Sequence, residues 1–263
     1  VAPAGVGKTW LLQSIAAGAL KRGFTVVHYT LELNETYVGL RYDTIFSGIS
    51  TQNIKFQKDE VKKIIDSIEG KMIIKYYPTR AATVNTLSAH LKQLELKNIK
   101  PDIVIVDYAD ILRDNSGMRE VRHQLGAVYE DLRGLAGEFK VPIWTASQAN
   151  RSALEEEVIE ATKIAEAYSK IMIADFVLSI SRKAEDKLSH TARCHIIKNR
   201  FGIDGVTYPM SMNTNLGQIE IYESTTQSGK DQQGKMDNSE EFKRQLLKSK
   251  YNDMNKTEVE GFE

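Results

Sequence analysis

The sequence predicts an α/β fold, with a mostly parallel central sheet, flanking helices and an antiparallel C-terminal extension. Three observations predict it. Strand-like and helix-like segments alternate from Val1 to about Tyr222. A loop of the phosphate-binding type, Ala2-Pro3-Ala4-Gly5-Val6-Gly7-Lys8-Thr9, runs straight into an apolar helix face. Four strand-like runs then crowd the region from residue 174 to 222 with few helices between them, the pattern of hairpins.

The elements follow in order. Trp10, Leu11, Leu12, Ile15, Ala16, Ala19 and Leu20 form one helical face, and Gly23 ends it as a C-terminal cap. Residues 25–31 (TVVHYTL) read as a strand, and residues 34–46 as a helix capped by Asn34. Residues 57–68 are amphipathic, with Val61, Ile64, Ile65 and Ile68 on one face. A strand over 71–77 precedes a helix over 83–96, with Val84, Leu87, Leu91 and Leu94 in register. Residues 102–106 form a short buried strand ending beside Asp107, residues 119–139 a long helix, and residues 141–146 another strand. Strands are then expected over 174–181, 191–198, 206–212 and 218–222, joined by polar or glycine-bearing turns over 182–190 and 201–205.

Composition bounds the function. At 263 residues the chain can bury one substantial core. Hydrophobic and charged fractions of 41% and 27% are those of a globular protein, and no apolar run is long enough to cross a membrane. The single cysteine, Cys194, excludes an internal disulfide and a cysteine-based zinc site, and its apolar surroundings predict a buried thiol. Lys and Arg total 35 against 35 Asp and Glu, which excludes a uniformly basic coat for nucleic acid but not contacts on local loops. Beyond Glu223 the stretch ESTTQSGKDQQGKMDNSEE cannot bury a core. A polar, mobile tail is expected over 223–263, with a short helix over 239–251.

The loop carries the first chemistry. Small residues let backbone N–H groups turn inward around phosphate oxygens, and the following helix adds its N-terminal dipole. Ala4, Gly5, Val6, Gly7, Lys8, Thr9 and Trp10 are the candidate nucleotide-binding residues. Lys8 is expected on the β- and γ-phosphates and Thr9 on Mg²⁺. Asp107, at the end of the apolar run Asp102-Ile103-Val104-Ile105-Val106, is the candidate metal-side acid, preferred to Asp110. Glu32 ends the first strand after the loop helix and is the candidate that orients or deprotonates an attacking water.

Five segments in order, APAGVGKT, YTLEL, DIVIVDYADIL, VPIWTASQANR and IIKNRFGIDG, resemble the landmarks of the RecA-like motor domain of DnaB-type hexameric replicative DNA helicases. The likeness runs from Val1 to roughly Tyr222. It implies a RecA-like P-loop NTPase over residues 1–222 that uses ATP and Mg²⁺ to move on single-stranded DNA and unwind duplex during replication. It places Glu32 on the family's catalytic glutamate, Asp107 on the Mg²⁺-associated aspartate and Gln148 on the glutamine that senses the γ-phosphate. Lys198 and Arg200 match the basic pair that reaches a neighbouring subunit's ATP site, which implies a homo-oligomer, a hexameric ring in the full-length protein. The segments after Asp107 and Gln148 offer Arg113, Arg119, Arg122 and Arg151 as DNA-phosphate contacts, although Glu155, Glu156 and Glu157 oppose them. Primase or a helicase loader is the further partner implied, and the cytoplasm of a bacterium or phage-infected host the implied location. The chain departs from the pattern in having Ala2 for the first glycine. The reading also expects the strand ahead of the loop, the collar domain and its linker helix to be missing. A RecA-type recombinase or recombination mediator and a regulatory ATP-binding switch stand as alternatives, but Glu32 and the Lys198-x-Arg200 pair lean toward the helicase.

Overall fold

A computed structural model describes residues 1–115, 121–150, 153, 156, 158, 159, 161 and 168–223. Helix α1 spans Lys8–Leu20, β1 Thr25–Thr30, α2 Glu35–Ser47, α3 Lys58–Asp66 and β2 Lys71–Tyr76. Helix α4 spans Val84–Leu96, β3 Ile103–Asp107, α5 Val121–Phe139 and β4 Ile143–Thr145. Helix α6 spans Tyr168–Ile173, β5 Phe176–Ser181, α7 Ala184–Leu188, β6 Thr191–Asn199, β7 Thr207–Asn213 and β8 Gln218–Ile221. The chain divides after Tyr222. The helix expected over 239–251 lies outside the described residues.

The cap expected at Asn34 forms, and the structure adds a second at Thr83. Asn34 caps α2 by accepting from the Tyr37 amide, which removes one unpaired N–H from the helix start. Thr83 and Thr86 form a reciprocal capping box at α4. The turn expected over 182–190 differs, because it contains α7. Its Asp186 accepts from the Lys183 amide at 2.8 Å and from Arg193 Nη1 at 3.0 Å, so burial of that carboxylate organises a helical turn that composition alone does not signal.

The strands form two four-stranded sheets. One is parallel in the order β2-β1-β3-β4, and the other antiparallel in the order β5-β6-β7-β8. Among the described residues, the antiparallel strands therefore build a sheet of their own and share no ladder with the parallel strands. The backbone of Val1 and Ala2 joins the two. Ala2 N–H donates to the Ser147 carbonyl at 3.3 Å and Ala149 N–H to the Ala2 carbonyl at 3.1 Å. On the other side the Val1 nitrogen donates to the Leu178 carbonyl at 2.6 Å and Ile180 N–H to the Val1 carbonyl at 2.9 Å. A cavity of about 710 Å³ lies along this seam, lined by Leu11, Leu12, Ile15, Trp144 and Phe176 among others.

Alternation along β1 sorts the core. Val27, Tyr29 and Leu31 face the side covered by α4 and α5, with Val104 and Val106 from β3. Val26 faces the side covered by α1 and α2, with Ile103 and Ile105. His28 lies on that second side, fully buried, with Nδ1 2.7 Å from the Tyr42 hydroxyl. Burial pushes its pKa down to about 3, so it is a neutral core residue. A third cluster packs Val6 and Leu11 on Ile180, Ala192, Cys194, Met210 and Met212, and so seats the antiparallel sheet against the loop helix. Cys194 is the buried thiol expected. No helix among the described residues is long and apolar enough to cross a membrane.

Leu87 is fully buried between α4 and the parallel sheet, whereas Leu96 at the end of the same helix is 85% exposed. Leu87→Ala should therefore cost about 2–5 kcal/mol, and Leu96→Ala under about 0.5 kcal/mol. Urea denaturation midpoints check the contrast, which equal losses would contradict.

Candidate active site

The loop between Ala2 and α1 turns on two glycines in the left-handed region, Gly5 at φ 71° and Gly7 at φ 118°. Gly7 is also the N-cap of α1. A Cβ there would meet Met212 Cε and Sδ at 2.9 Å, the far end of a flexible side chain, so it is the backbone conformation that demands glycine. Lys8 opens α1 and folds its side chain back over the loop, donating to the Ala2 and Pro3 carbonyls at 2.9 Å each. Burial lowers its pKa, and Glu32, Asp107 and Asp110 oppose that shift. The ammonium therefore stands within the field of three carboxylates. Ala4 and Gly5 are exposed, and Val6 is buried beneath the loop.

Parallel pairing brings the acids to this edge. Thr30 pairs with Asp107, and Leu31 N–H continues the ladder to the Asp107 carbonyl at 2.9 Å. Asp107 is thus the last residue of β3 and 1% exposed, while Glu32 emerges just past β1 and is exposed. Neither Asp107 oxygen has a partner in hydrogen-bond geometry, although the Thr9 hydroxyl is near enough to favour the ionised form. Burial dominates and raises the Asp107 pKa to about 6. A buried carboxylate with both oxygens free, beside a threonine hydroxyl at a helix start, has the donor chemistry for a hard divalent cation or its bound water.

Gln148 follows β4 and forms a parallel bridge with Ala2, which puts it at the root of the loop. Its N–H donates to Asp110 Oδ2 at 3.2 Å. Lys198 and Arg200 do not join this group. The loop meets the antiparallel sheet at Met212, whose N–H reaches the His190 carbonyl at the start of β6. The basic pair leaves the other end of β6, about 25 Å away at the rise of an extended strand. There Lys198 Nζ donates to the Ile171 and Met172 carbonyls at 2.8 and 2.9 Å, and Arg200 Nη1 meets Asp175 Oδ1 at 2.6 Å. Arg113 is exposed, and its N–H donates to the Ala82 carbonyl. Arg119 and Arg151 lie outside the described residues, as does the side chain of Arg122.

Sequence reasoning missed four further residues. Arg41 on α2 stacks its guanidinium over Trp10, 5.0 Å from the ring centroid, and feels both Asp107 and Glu32. Asp110 and Lys170 form a buried ion pair at 2.8 Å, and Asp175 takes Arg133 as well as Arg200. All depend on contacts distant along the chain. The one local hint was the second acid in DYAD.

Comparison with known proteins adds the family. The family described as the DnaB-like helicase C-terminal domain matches residues 1–219. A DnaB-like replicative helicase of Enterobacteria phage T4 is 30% identical over 214 residues, covering 75% of this chain and 44% of that protein. The replicative DNA helicase DnaB of Helicobacter pylori J99 is 23% identical over 153 residues, covering 56% of this chain and 31% of that protein. The chain thus spans less than half the length of these curated relatives. Among solved structures, one described as an ATPase domain has a TM-score of 0.72 at 19% identity, covering 84% of this chain and 83% of that one. A DnaB-like replicative helicase, studied for its interactions with primase, has a TM-score of 0.71 at 19% identity and covers 83% and 55%. These likenesses show the RecA-like P-loop fold.

Because folding raises the Asp107 pKa from 3.8 to about 6, the group favours the folded state while protonated and loses that contribution as pH rises through about 6. Without nucleotide or divalent cation, Asp107→Asn at pH 7.5 should therefore be more stable than the parent by about 1–3 kcal/mol. The difference should vanish below about pH 4. Urea midpoints across pH measure it, and a less stable variant at pH 7.5 would refute the desolvation account.

Proposed function

This chain belongs to the DnaB-like helicase C-terminal domain family, and from that premise we propose that residues 1–222 are the ATP-driven motor of a replicative DNA helicase. The observation that carries the reading is the convergence of Lys8, Glu32 and the unpartnered Asp107 at one sheet edge, with Lys198 and Arg200 at the far end of β6. Family membership supports the motor over a recombinase or a regulatory switch.

The roles follow from position. Backbone N–H groups of the loop and the start of α1 receive the ATP phosphates, with Lys8 turning from the Ala2 and Pro3 carbonyls toward the β- and γ-oxygens. Thr9 and Asp107 would hold Mg²⁺, which when bound would supply charge neutralisation for the phosphates. Glu32, exposed beside them, orients the attacking water and accepts its proton. Gln148 offers a neutral amide to the γ-phosphate from the root of the loop.

Lys198 and Arg200 serve a neighbouring subunit's nucleotide, since their own lies too far away. Arg200 would stabilise charge on the transferring phosphoryl group there. The turn after Arg200 exposes Phe201 and Ile203 to 83% and 77%, an apolar pair suited to burial in that interface. The assembly is a homo-oligomer, a hexameric ring in the full-length protein. Single-stranded DNA passes along the segments after Asp107 and Gln148, with Arg113 and the other three arginines on its phosphates. Residues 223–263 form a polar tail, and primase or a loader is the further partner.

Glu32→Gln should lower kcat by about 10²–10⁴ and change nucleotide affinity by less than about threefold. A variant that turns over ATP at the parent rate would remove Glu32 from the chemistry. Turnover in the parent should rise when single-stranded DNA is added. Rings of Arg200→Ala or of Lys8→Ala alone should be inactive. Mixed rings should recover activity, because some interfaces then pair an intact loop with an intact finger. Mixed assemblies, confirmed by light scattering, that stay inactive would exclude action across the interface.

A further inference from the structure

Asp110 is the hub of a buried polar cluster outside the nucleotide contacts. Its Oδ1 accepts from Lys170 Nζ at 2.8 Å and from the Tyr129 hydroxyl at 2.8 Å. Its Oδ2 accepts from the Ser147 hydroxyl at 3.2 Å and from Gln148 N–H at 3.2 Å. Four donors use the whole acceptor capacity of the carboxylate. Lys170 Nζ also donates to Ser147 Oγ at 3.1 Å and lies 5.4 Å from the Tyr129 ring centroid. The side chains of Lys170 and Asp110 are 5% and 15% exposed. A buried ion pair of this kind offers little net stability over apolar side chains of the same volume. What it does provide is direction: it fixes the turn after β3, the end of β4, α5 and α6 relative to one another.

Helix α6 carries the link onward. Lys170 stands within it, and the carbonyls of Ile171 and Met172, next along the chain, accept from Lys198. The next carbonyl, Ile173, accepts from Arg133, which also pairs with Asp175, the partner of Arg200. Arg200 N–H further donates to the Asp175 carbonyl at 2.9 Å. An unbroken chain of hydrogen bonds and short peptide segments thus runs from the Gln148 amide through Asp110, Lys170 and α6 to Lys198 and Arg200.

We propose that Asp110 and Lys170 are positioning residues that lock Gln148 to α6, so that a shift at the γ-phosphate of one subunit moves the basic pair that serves its neighbour. The inference rests on the reading of Gln148 as sensor and Arg200 as finger given above. A nucleotide-driven displacement of Gln148 pulls on a carboxylate whose other donors sit on α5 and α6. Close-packed, charge-paired groups transmit such a shift as a rigid unit. Neither residue touches ATP, so nucleotide affinity is untouched while turnover in the assembled ring falls.

The test uses Lys170→Met in the full chain, assembled with single-stranded DNA, with kcat and KM for ATP as readouts. Lys170→Met should lower kcat about tenfold with KM within about twofold. In a Gln148→Ala background the same change should cost under about twofold, because the link then has nothing to connect. The double variant Asp110→Asn/Lys170→Met removes both charges, so its melting temperature should stay near the parent's, and its kcat should match that of Lys170→Met. A parent-like kcat in Lys170→Met, or a full tenfold loss in the Gln148→Ala background, overturns the link and leaves the sensor and finger assignments standing. If Gln148→Ala or Arg200→Ala alone leaves kcat unchanged, that assignment fails and the link fails with it.

Discussion

The parallel register that pairs Thr30 with Asp107 brings two acids of unequal burial to the same edge of the sheet. Asp107 ends a strand whose every residue is buried. Glu32 lies two residues beyond the paired Thr30, where the chain turns into α2, and stands in solvent. A one-residue slip would reverse the faces of β1 and carry Val27 and Tyr29 out of the larger core cluster. The hydrophobic sorting that fixes the register therefore also fixes the site. Lys8 is the third member because α1 packs its Leu12, Ala16 and Leu20 on the opposite face of the same strands.

The second sheet has a different part in the architecture. It meets the loop at Met212, whose side-chain end would lie 2.9 Å from a Cβ built on Gly7. That contact ties loop geometry to the strands that carry Lys198 and Arg200. Distance then separates the functions. The end of the antiparallel sheet that touches the loop packs against it, and the far end carries Lys198 and Arg200. The length of β6 keeps that pair away from the loop, which is why the proposed function assigns it to a neighbouring subunit.

Burial without partners and burial with partners mark two classes of acid here. Asp107 has no partner in hydrogen-bond geometry, and burial raises its pKa. Asp110, three residues on, has four donors and an ammonium at 2.8 Å. The same low dielectric makes the first costly and the second rigid. One carboxylate can hold a ligand, and the other can hold the protein in place.

The sequence by itself determined the alternating elements, the loop and its glycines, the cap at Asn34, and the strand-end position of Asp107. All are local patterns, read from period, spacing and side-chain chemistry within a few residues. It also singled out Glu32 from its place at the end of the first strand after the loop helix, and Gln148, Lys198 and Arg200 through the order of five segments. Only the tertiary structure decided that the hairpin strands form a separate sheet, because the seam at Val1 and Ala2 depends on residues nearly 180 positions away. Only it placed Arg41 over Trp10 and paired Asp110 with Lys170 across 60 residues. An exposed charge and a buried one look alike in sequence. What distinguishes them is the burial imposed when distant segments pack, and here that packing left Asp107 without a hydrogen-bond partner and gave Asp110 four donors.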